Sequence, residues 1–306
     1  MNKIKGNFDD FDFFKEAVND WSLDFNIISK GDFNAGFHIF TSENFLLSRE
    51  TLKGTIEHRG FSPIGYRTIV IPINYSCELT WYQKKMSGKE ILIFPKNPVI
   101  DVTTYDGLDI FLISIKEEVL FKIISEYKLS NCKSAFDGIS KEVNVSKDYT
   151  SEFFEIADKF MNTRFIDNEL QSDEIKKIAI SILNYIENSK HISVEMPNDK
   201  QHLAINKAVE IIHEEEGELI PIKQLCELVG VSERTLYNAF KTRFKASPNE
   251  YVKAIRLNKV KKELFANEDK NISTLAGKYH FWHMGQFAKD FKNQFGVLPS
   301  DVNSNK

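Results

Sequence analysis

Hydrophobic and polar residues alternate with the period of β-strands in the first third of the chain. Short apolar runs, separated by turn residues, extend from Gly31 to about Ile115, whereas the first 30 residues give no clear pattern. This spacing of short strands predicts a small barrel or sandwich. The clearest strands are predicted at 66–73, 78–83, 90–95 and 108–115, with turns at 87–89 and 105–107.

After Lys116 the apolar positions recur with a helical period. Helices are predicted at 117–128, 149–164 and 173–189, and the stripe of the second consists of Phe153, Ile156, Ala157 and Phe160. The polar segment 191–201 contains Pro197 and has no clear period, which predicts a linker. The chain therefore divides into a first domain at 1–190, in which helices follow the strands, and a helical domain at 202–306.

Residues 222–244 have the pattern of a helix-turn-helix unit. The first helix is predicted to bury Leu225 and Leu228, and Gly230 supplies a permissive turn. Ser232 is suited to cap the second helix, which carries Leu236, Phe240 and Phe244 on one face. The opposite face presents Arg234, Tyr237, Asn238 and Lys241. Arginine and asparagine can pair with base edges, so this face is suited to a major groove.

Residues 272–295 repeat the pattern. Asn271 is suited to cap the first helix, and Phe287, Phe291 and Phe295 form the stripe of the second. Its outward face presents His283, Met284, Gln286 and Lys289. Between the two units a long helix begins at Ser247 and Pro248 with a capping box and carries five positive charges, which favours a rigid spacer that contacts phosphate.

Charge is distributed unevenly. The net charge is -4, yet the segment from Pro221 to Lys306 has 15 basic and 8 acidic residues, which makes it +7 and the remainder -11. A basic segment on an acidic body is compatible with phosphate binding. The N-terminus predicts no signal peptide, no stretch is long enough to span a membrane, and three distant cysteines indicate neither disulfides nor zinc. These features favour the cytoplasm.

The stretch from Ile205 to Val302 resembles the DNA-binding domain of the AraC/XylS family of transcription regulators. The segments that carry the resemblance are GVSERTL (230–236), SPNEYV (247–252), ISTLA (272–276) and FWHMGQFAKDFKNQFG (281–296). The segment 281–287 is similar to the branch that includes the ethanolamine-utilisation regulator. Family members commonly have glycine at the position of His280.

The resemblance implies duplex promoter DNA and RNA polymerase as partners, a homodimer, and neither a cofactor nor a catalytic or metal site. The family's base-reading positions fall on Arg234, Tyr237 and Asn238 in the first unit. In the second unit they fall on Met284, Gly285, Ala288 and Lys289, and the two small residues predict looser base reading there. His283 and Gln286 could compensate. An activator is expected.

The resemblance also implies an α+β chain, in which a cupin-like barrel or sandwich and following helices precede the all-α domain. It implies that residues 1–190 form a regulatory or dimerisation domain. Such a barrel can hold one small effector. The polar groups suited to an acidic effector are His38, His58, Arg59 and Arg67. Ordinary surface or turn positions are the competing interpretation for all four.

Two other functions stay open. A ligand-independent regulator would use its first domain only to dimerise or to bind a protein. An enzyme is disfavoured: a metal cupin needs converging histidines and carboxylates, and this region has only His38 and His58. A methyl-accepting repair protein needs an activated cysteine, whereas Cys77 lies in a strand-like run that favours packing.

Overall fold

The computed structural model of the chain describes residues 2–8, 22–31, 33–74, 77–81, 84–96, 99–137, 141–144, 147–163, 168–194, 200–214, 220–266 and 271–302. The fold of these residues is α+β, with a sheet-rich N-terminal part and a helical C-terminal part. Within them, every helix is too short or too polar to cross a membrane.

The strands of the described residues form two antiparallel sheets. Sheet A has the order β1-β3-β4-β11-β6-β9-β12-β13, and sheet B has the order β2-β5-β10-β7-β8. The strands are β1 (Asn2–Phe8), β2 (Ser22–Ile27), β3 (Asn34–Thr41), β4 (Phe45–Lys53), β5 (Ile56–Phe61), β6 (Tyr66–Pro72), β7 (Glu78–Trp81), β8 (Lys84–Ser87), β9 (Glu90–Ile93), β10 (Val99–Thr104), β11 (Leu108–Lys116), β12 (Lys141–Asn144) and β13 (His191–Ser193).

The two sheets pack face to face as a sandwich. Side chains alternate along each strand, so sheet A contributes Leu52, Val70 and Leu112 to the shared core, while sheet B contributes Ile56 and Val102. Among the described residues no ladder joins the sheets. The sandwich half of the barrel-or-sandwich prediction is therefore confirmed, and a closed barrel is wrong.

The other face of sheet A is covered by helices. They are α1 (Glu117–Glu126), α2 (Ser130–Ala135), α3 (Lys147–Asn162) and α4 (Asn168–Glu187). Their apolar stripes bury Phe153, Phe160 and Ile182 against the sheet residues Leu47 and Phe111. The predicted periodicity locates α1, α3 and α4 but not the short α2, and Ile156 of the predicted stripe is exposed to solvent.

The C-terminal part is helical throughout the described residues. Its helices are α5 (Lys200–Glu214), α6 (Ile222–Val229), α7 (Glu233–Phe244), α8 (Pro248–Ala266), α9 (Ile272–Lys278) and α10 (Met284–Phe295), followed by a 3-10 turn at Pro299–Asp301. The i, i+4, i+8 stripe of α7 packs with α5, α6 and the start of α8. The corresponding stripe of α10 packs with α9 and the second half of α8.

Two expectations about the chain's organisation need correction. The first three residues of the predicted linker form β13, which pairs with β12 at the edge of sheet A because its backbone groups find a strand partner there. Leu228, predicted to be buried in the first helix-turn-helix unit, is half exposed. The first 30 residues, which give no clear sequence pattern, include β1 and β2.

Sheet B lies between the sandwich core and the C-terminal helices. Its outer face and the edge of β2 contact α8, where Asn258 accepts a hydrogen bond from the Ile27 amide (3.0 Å) and donates one to the Ile27 carbonyl (2.8 Å). Gln294 of α10 donates to the carbonyls of Ile27 and Ser29. These contacts satisfy backbone groups that an edge strand would otherwise leave unpaired.

Candidate nucleic-acid interface

Helices α6 and α7 meet at a turn with the local geometry that the sequence predicts. Gly230 ends α6 with a positive φ of 72°, a left-handed conformation that glycine adopts without steric cost. Ser232 then caps α7, and its hydroxyl accepts a hydrogen bond from the Thr235 amide at 3.2 Å. The buried stripe of α7 fixes the rotation of the helix, so its polar face points outward.

That outward face of α7 carries three predicted base-reading side chains in the open. Arg234, Tyr237 and Asn238 are all exposed. The fourth predicted residue, Lys241, is paired with Glu250 at 3.1 Å and lies 5.8 Å from the centre of the Tyr237 ring. Three donors are thus available to a partner, while the lysine is already engaged.

A capping box begins α8, as predicted. The Ser247 amide and hydroxyl both donate to the Glu250 carboxylate at 2.8 Å, and the Glu250 amide donates back to the Ser247 hydroxyl. Hydrogen bonds from the Ser247 backbone and side chain and from Lys241 lower the pKa of Glu250 to about 2. The turn between α7 and α8 is therefore fixed by an ionised carboxylate.

Helices α9 and α10 form the second pair. The Asn271 side chain accepts from the amides of Ser273 and Thr274, which confirms the predicted cap. His280 has a φ of 59°, and this left-handed conformation is the physical reason why glycine suits the position. The α9–α10 turn therefore keeps its geometry with a histidine in place of glycine.

On α10 the four predicted residues are exposed, namely His283, Met284, Gln286 and Lys289. Gln286 donates a hydrogen bond to Asp290 at 3.0 Å, within its own helix. The neighbouring Trp282 is also largely exposed, at 71%. This second surface is thus more apolar at its start than the surface on α7.

The basic residues of α8 do not form the predicted phosphate-contacting face. Lys253 pairs with Asp290 at 3.3 Å, and Arg256 donates to the Tyr279 carbonyl. Lys259 donates to the His213 carbonyl. Lys261 is buried near the Phe295 ring, and Lys262 pairs with Asp24 of β2. Their charge is used within the protein because α8 is the central helix of the C-terminal part.

A polar cluster on the outer face of sheet B binds the C-terminal helices. The fully buried Glu57 carboxylate of β5 accepts from the Tyr251 hydroxyl at 2.7 Å, and His213 Nε2 lies 3.0 Å from it. Burial would raise the pKa of Glu57, but the charge and hydrogen bond of His213, together with Arg243 and Arg59, lower it to about 2. Nearby, Arg243 of α7 pairs with Asp101 of β10.

A cavity of about 60 Å³ lies inside the sandwich, between the inner faces of the two sheets. Its wall is mainly apolar and includes Leu23, Val70, Leu92, Val102, Ile110 and Leu112. The polar lining residues are Glu50 of β4, His58 of β5 and Thr104 of β10. His58 Nε2 lies 2.9 Å from the Thr104 hydroxyl. Burial lowers the pKa of His58 to about 4 against the opposing effect of Glu57, so the ring is neutral at pH 7.

The four predicted effector-binding residues do not come together. His58 lines the sandwich cavity, whereas His38 lines a separate cleft of about 160 Å³ beside α3. Arg59 is on the outer face of sheet B, 4.0 Å from Glu57. Arg67 is buried on the helix-covered face of sheet A, where it donates to the Phe136 carbonyl. Strand alternation and the two-sided packing of each sheet separate them.

Sequence reasoning missed Glu50 and Glu57. Glu57 is an acidic residue inside a strand between the buried neighbours Ile56 and His58, and that pattern is the signal that could have found it. Glu50 has partly exposed neighbours and gives no such signal. His213 and Tyr251, the partners of Glu57, are more than 150 positions away in the sequence. Cys77 is buried, and burial raises the pKa of its thiol to about 11, which agrees with a packing role.

Comparison with known proteins also indicates a helix-turn-helix domain in the C-terminal part. The family profile described as "Helix-turn-helix domain" matches residues 225–305. The XylDLEGF operon transcriptional activator 1 of Pseudomonas putida is 25% identical over 220 residues, which cover 70% of this chain and 66% of that protein. The XylDLEGF operon transcriptional activator 2 of the same species is 35% identical over 99 residues, which cover 31% and 62%.

The chain spans between about one third and two thirds of the length of the first curated relatives that it matches. Among solved structures, the AraC-like transcriptional activator CuxR aligns with a TM-score of 0.43 and 11% identity, over 84% of this chain and 94% of that one. The likeness of segment 281–287 to the ethanolamine branch stays a prediction. The profile match shows that residues 225–305 contain a helix-turn-helix domain, and the C-terminal part of the chain is similar to the corresponding part of the XylDLEGF operon transcriptional activators.

Proposed function

We propose that this protein binds specific duplex promoter DNA through two helix-turn-helix units, α6–α7 and α9–α10, and activates transcription there. The observation that carries the proposal is the orientation of α7. Its apolar stripe is buried, and Arg234, Tyr237 and Asn238 face solvent although the basic residues around them are engaged within the protein. Relatives named as transcriptional activators support the direction of control. RNA polymerase and a second copy of the chain are the partners that an activator of this family implies.

The two units are proposed to have unequal roles. The first carries Arg234 and Asn238, which can make paired hydrogen bonds to guanine and adenine. The second carries Met284 and Gly285 at the start of α10, which offer shape and apolar contact rather than base-edge hydrogen bonds. Specificity is therefore expected to depend more on the first unit. Such a role would place the protein with the chromosome, in the bacterial cytoplasm.

The sandwich cavity supports an effector-controlled regulator over a ligand-independent one. Strand β5 presents His58 to the cavity and the adjacent Glu57 to the opposite face, where it contacts His213 and Tyr251 of the C-terminal part. A ligand that shifts β5 by a fraction of an ångström would change the geometry of this buried cluster. Because packed interfaces are bistable rather than continuously deformable, such a shift can reorient α7 and α8.

The test selects bound fragments from a randomised duplex pool with the full chain, and then measures affinity for the enriched site over a range of salt concentrations. Arg234→Ala and Asn238→Ala are each expected to weaken binding by roughly 1–3 kcal/mol and to relax preference at one base pair. Lys122→Ala removes an exposed charge from α1, on the far side of the sandwich, and serves as the control. Absence of any enriched sequence, or equal losses in all three variants, would overturn the proposal.

A further inference from the structure

We propose that the sandwich cavity binds a small apolar amine and that the Glu50 carboxylate recognises its ammonium group. This inference rests on the proposed function only in taking the occupant of the cavity as an effector. The effector expected from the sequence is an acid, whereas the ligand proposed here is a cation.

The position of Glu50 is the first argument. Along β4 the side chains alternate, so Arg49 faces α3, where it contacts Asp158, while Glu50 faces the cavity between the sheets. Glu50 is only partly buried, and it is one of the residues that line the cavity. The carboxylate is therefore accessible to a bound molecule.

The lack of a cationic partner is the second argument. Among the described residues the polar contact of Glu50 is the Ser48 hydroxyl, at 3.2 Å, and burial raises the pKa of the carboxyl to about 7. A buried carboxylate is costly unless a cation or hydrogen-bond donors compensate it. An ammonium group placed in the cavity would supply both a positive charge and hydrogen-bond donors to this carboxylate.

The rest of the lining argues against an acid. The one other titratable group among the described lining residues is His58, which is neutral at pH 7 and already bonded to Thr104. A ligand carboxylate would find no positive charge there and would be repelled by Glu50 whenever that group is ionised.

The size of the cavity limits the carbon skeleton. A cavity of about 150 Å³ holds benzene, which has six non-hydrogen atoms, and the cavity here is about 60 Å³, so a ligand of about two or three non-hydrogen atoms fits without large rearrangement. Branched aliphatic side chains on both sheets suit a short alkyl chain. Ethylamine has this size and charge.

The test compares ethylamine, ethanol and acetate, which share one two-carbon skeleton, by thermal shift and calorimetry on the full chain at pH 7.5. Ethylamine is expected to bind, and ethanol and acetate to bind at least tenfold more weakly. Glu50→Gln is expected to weaken the binding of ethylamine about tenfold to a hundredfold, since a charge-assisted hydrogen bond is lost. Glu142→Gln, at a lysine-paired carboxylate of β12, is the matched control and is expected to leave binding unchanged.

Preference for acetate or ethanol, or no response to any of the three compounds, would overturn the inference. The comparison on the unaltered chain tests the inference even where Glu50→Gln fails to fold. If the chain selects duplex DNA but does not bind ethylamine, only this inference is wrong. If the chain binds ethylamine but selects no DNA sequence, only the proposed function is wrong.

Discussion

Replacing Glu57 with glutamine tests whether the buried cluster stabilises the contact between sheet B and the C-terminal helices. The carboxylate is fully buried and receives contacts from Tyr251 and Asn26, with His213 3.0 Å away. Glutamine keeps the volume but removes the charge, and its amide group places a donor against the donors of Asn26 and His213. A buried ionic partner is thereby left uncompensated.

The size of the expected stability loss follows from the pKa of Glu57 in the folded and the unfolded chain. The unfolded value is 4.5 and the folded value is about 2, and each pKa unit corresponds to about 1.4 kcal/mol. The charged form therefore contributes about 3 kcal/mol, in line with the roughly 3–5 kcal/mol lost when buried pairs are broken. Because the folded pKa is lowered, this contribution is complete above about pH 4.5 and is lost as the pH falls toward 2.

The assay is urea unfolding of the full chain, followed by far-ultraviolet circular dichroism at several pH values. Glu57→Gln should lower the free energy of unfolding by about 3 kcal/mol at pH 7, and the difference from the unaltered chain should shrink below pH 4.5. Glu142→Gln breaks a partly exposed pair with Lys84 and should cost less than about 1 kcal/mol. A loss under about 1 kcal/mol at Glu57, or a difference that is constant with pH, would refute the reasoning.

Three other predictions follow from the described contacts. Lys253→Ala should leave the salt dependence of DNA binding unchanged because Asp290 already engages Lys253, whereas loss of the exposed Lys289 should reduce the slope by up to about one in gel-shift titrations. Gly60→Ala should destabilise the chain by about 2–4 kcal/mol in urea unfolding, since its Cβ would lie 2.0 Å from the Ser22 carbonyl oxygen. Gly107→Ala, also at a positive φ (83°) but in open space, should cost only about 1 kcal/mol, and equal costs would contradict the steric argument. Cys77 should react with iodoacetamide far more slowly in the folded chain than in urea, and equal rates by peptide mass spectrometry would show that it is accessible.

The local patterns of the C-terminal part could be predicted from the sequence. Gly230, Ser232 and Asn271 act where the sequence predicts them, because caps and turns depend on residues within one helical turn of each other. The phenylalanine stripe of α10 is buried for a similar reason, since a 3.6-residue period defines a face without reference to the partner. These features determine the orientation of the candidate DNA-reading faces.

The roles of the charged residues could not be predicted in this way. The excess of positive charge after Pro221 favours phosphate binding, yet Arg243 and Lys262 pair with acidic residues of sheet B. Part of the charge asymmetry between the two halves therefore serves the contact between them. A count of charged residues does not tell which of them lie close together in the fold. It therefore does not distinguish an ion pair within the protein from a contact with DNA.

What the sequence by itself determined is the clearest strands and helices, the likeness of the C-terminal part to AraC/XylS regulators, and the outward faces of α7 and α10. Only the tertiary structure decided that His58 and Glu57, adjacent in β5, serve opposite faces of one sheet, and that Glu50 opens into a cavity. The reason is physical: strand alternation is local, but what lies on each side of a strand depends on residues up to about 200 positions away. The tertiary structure therefore defines the cavity proposed to hold an effector and its connection to the helices proposed to bind DNA.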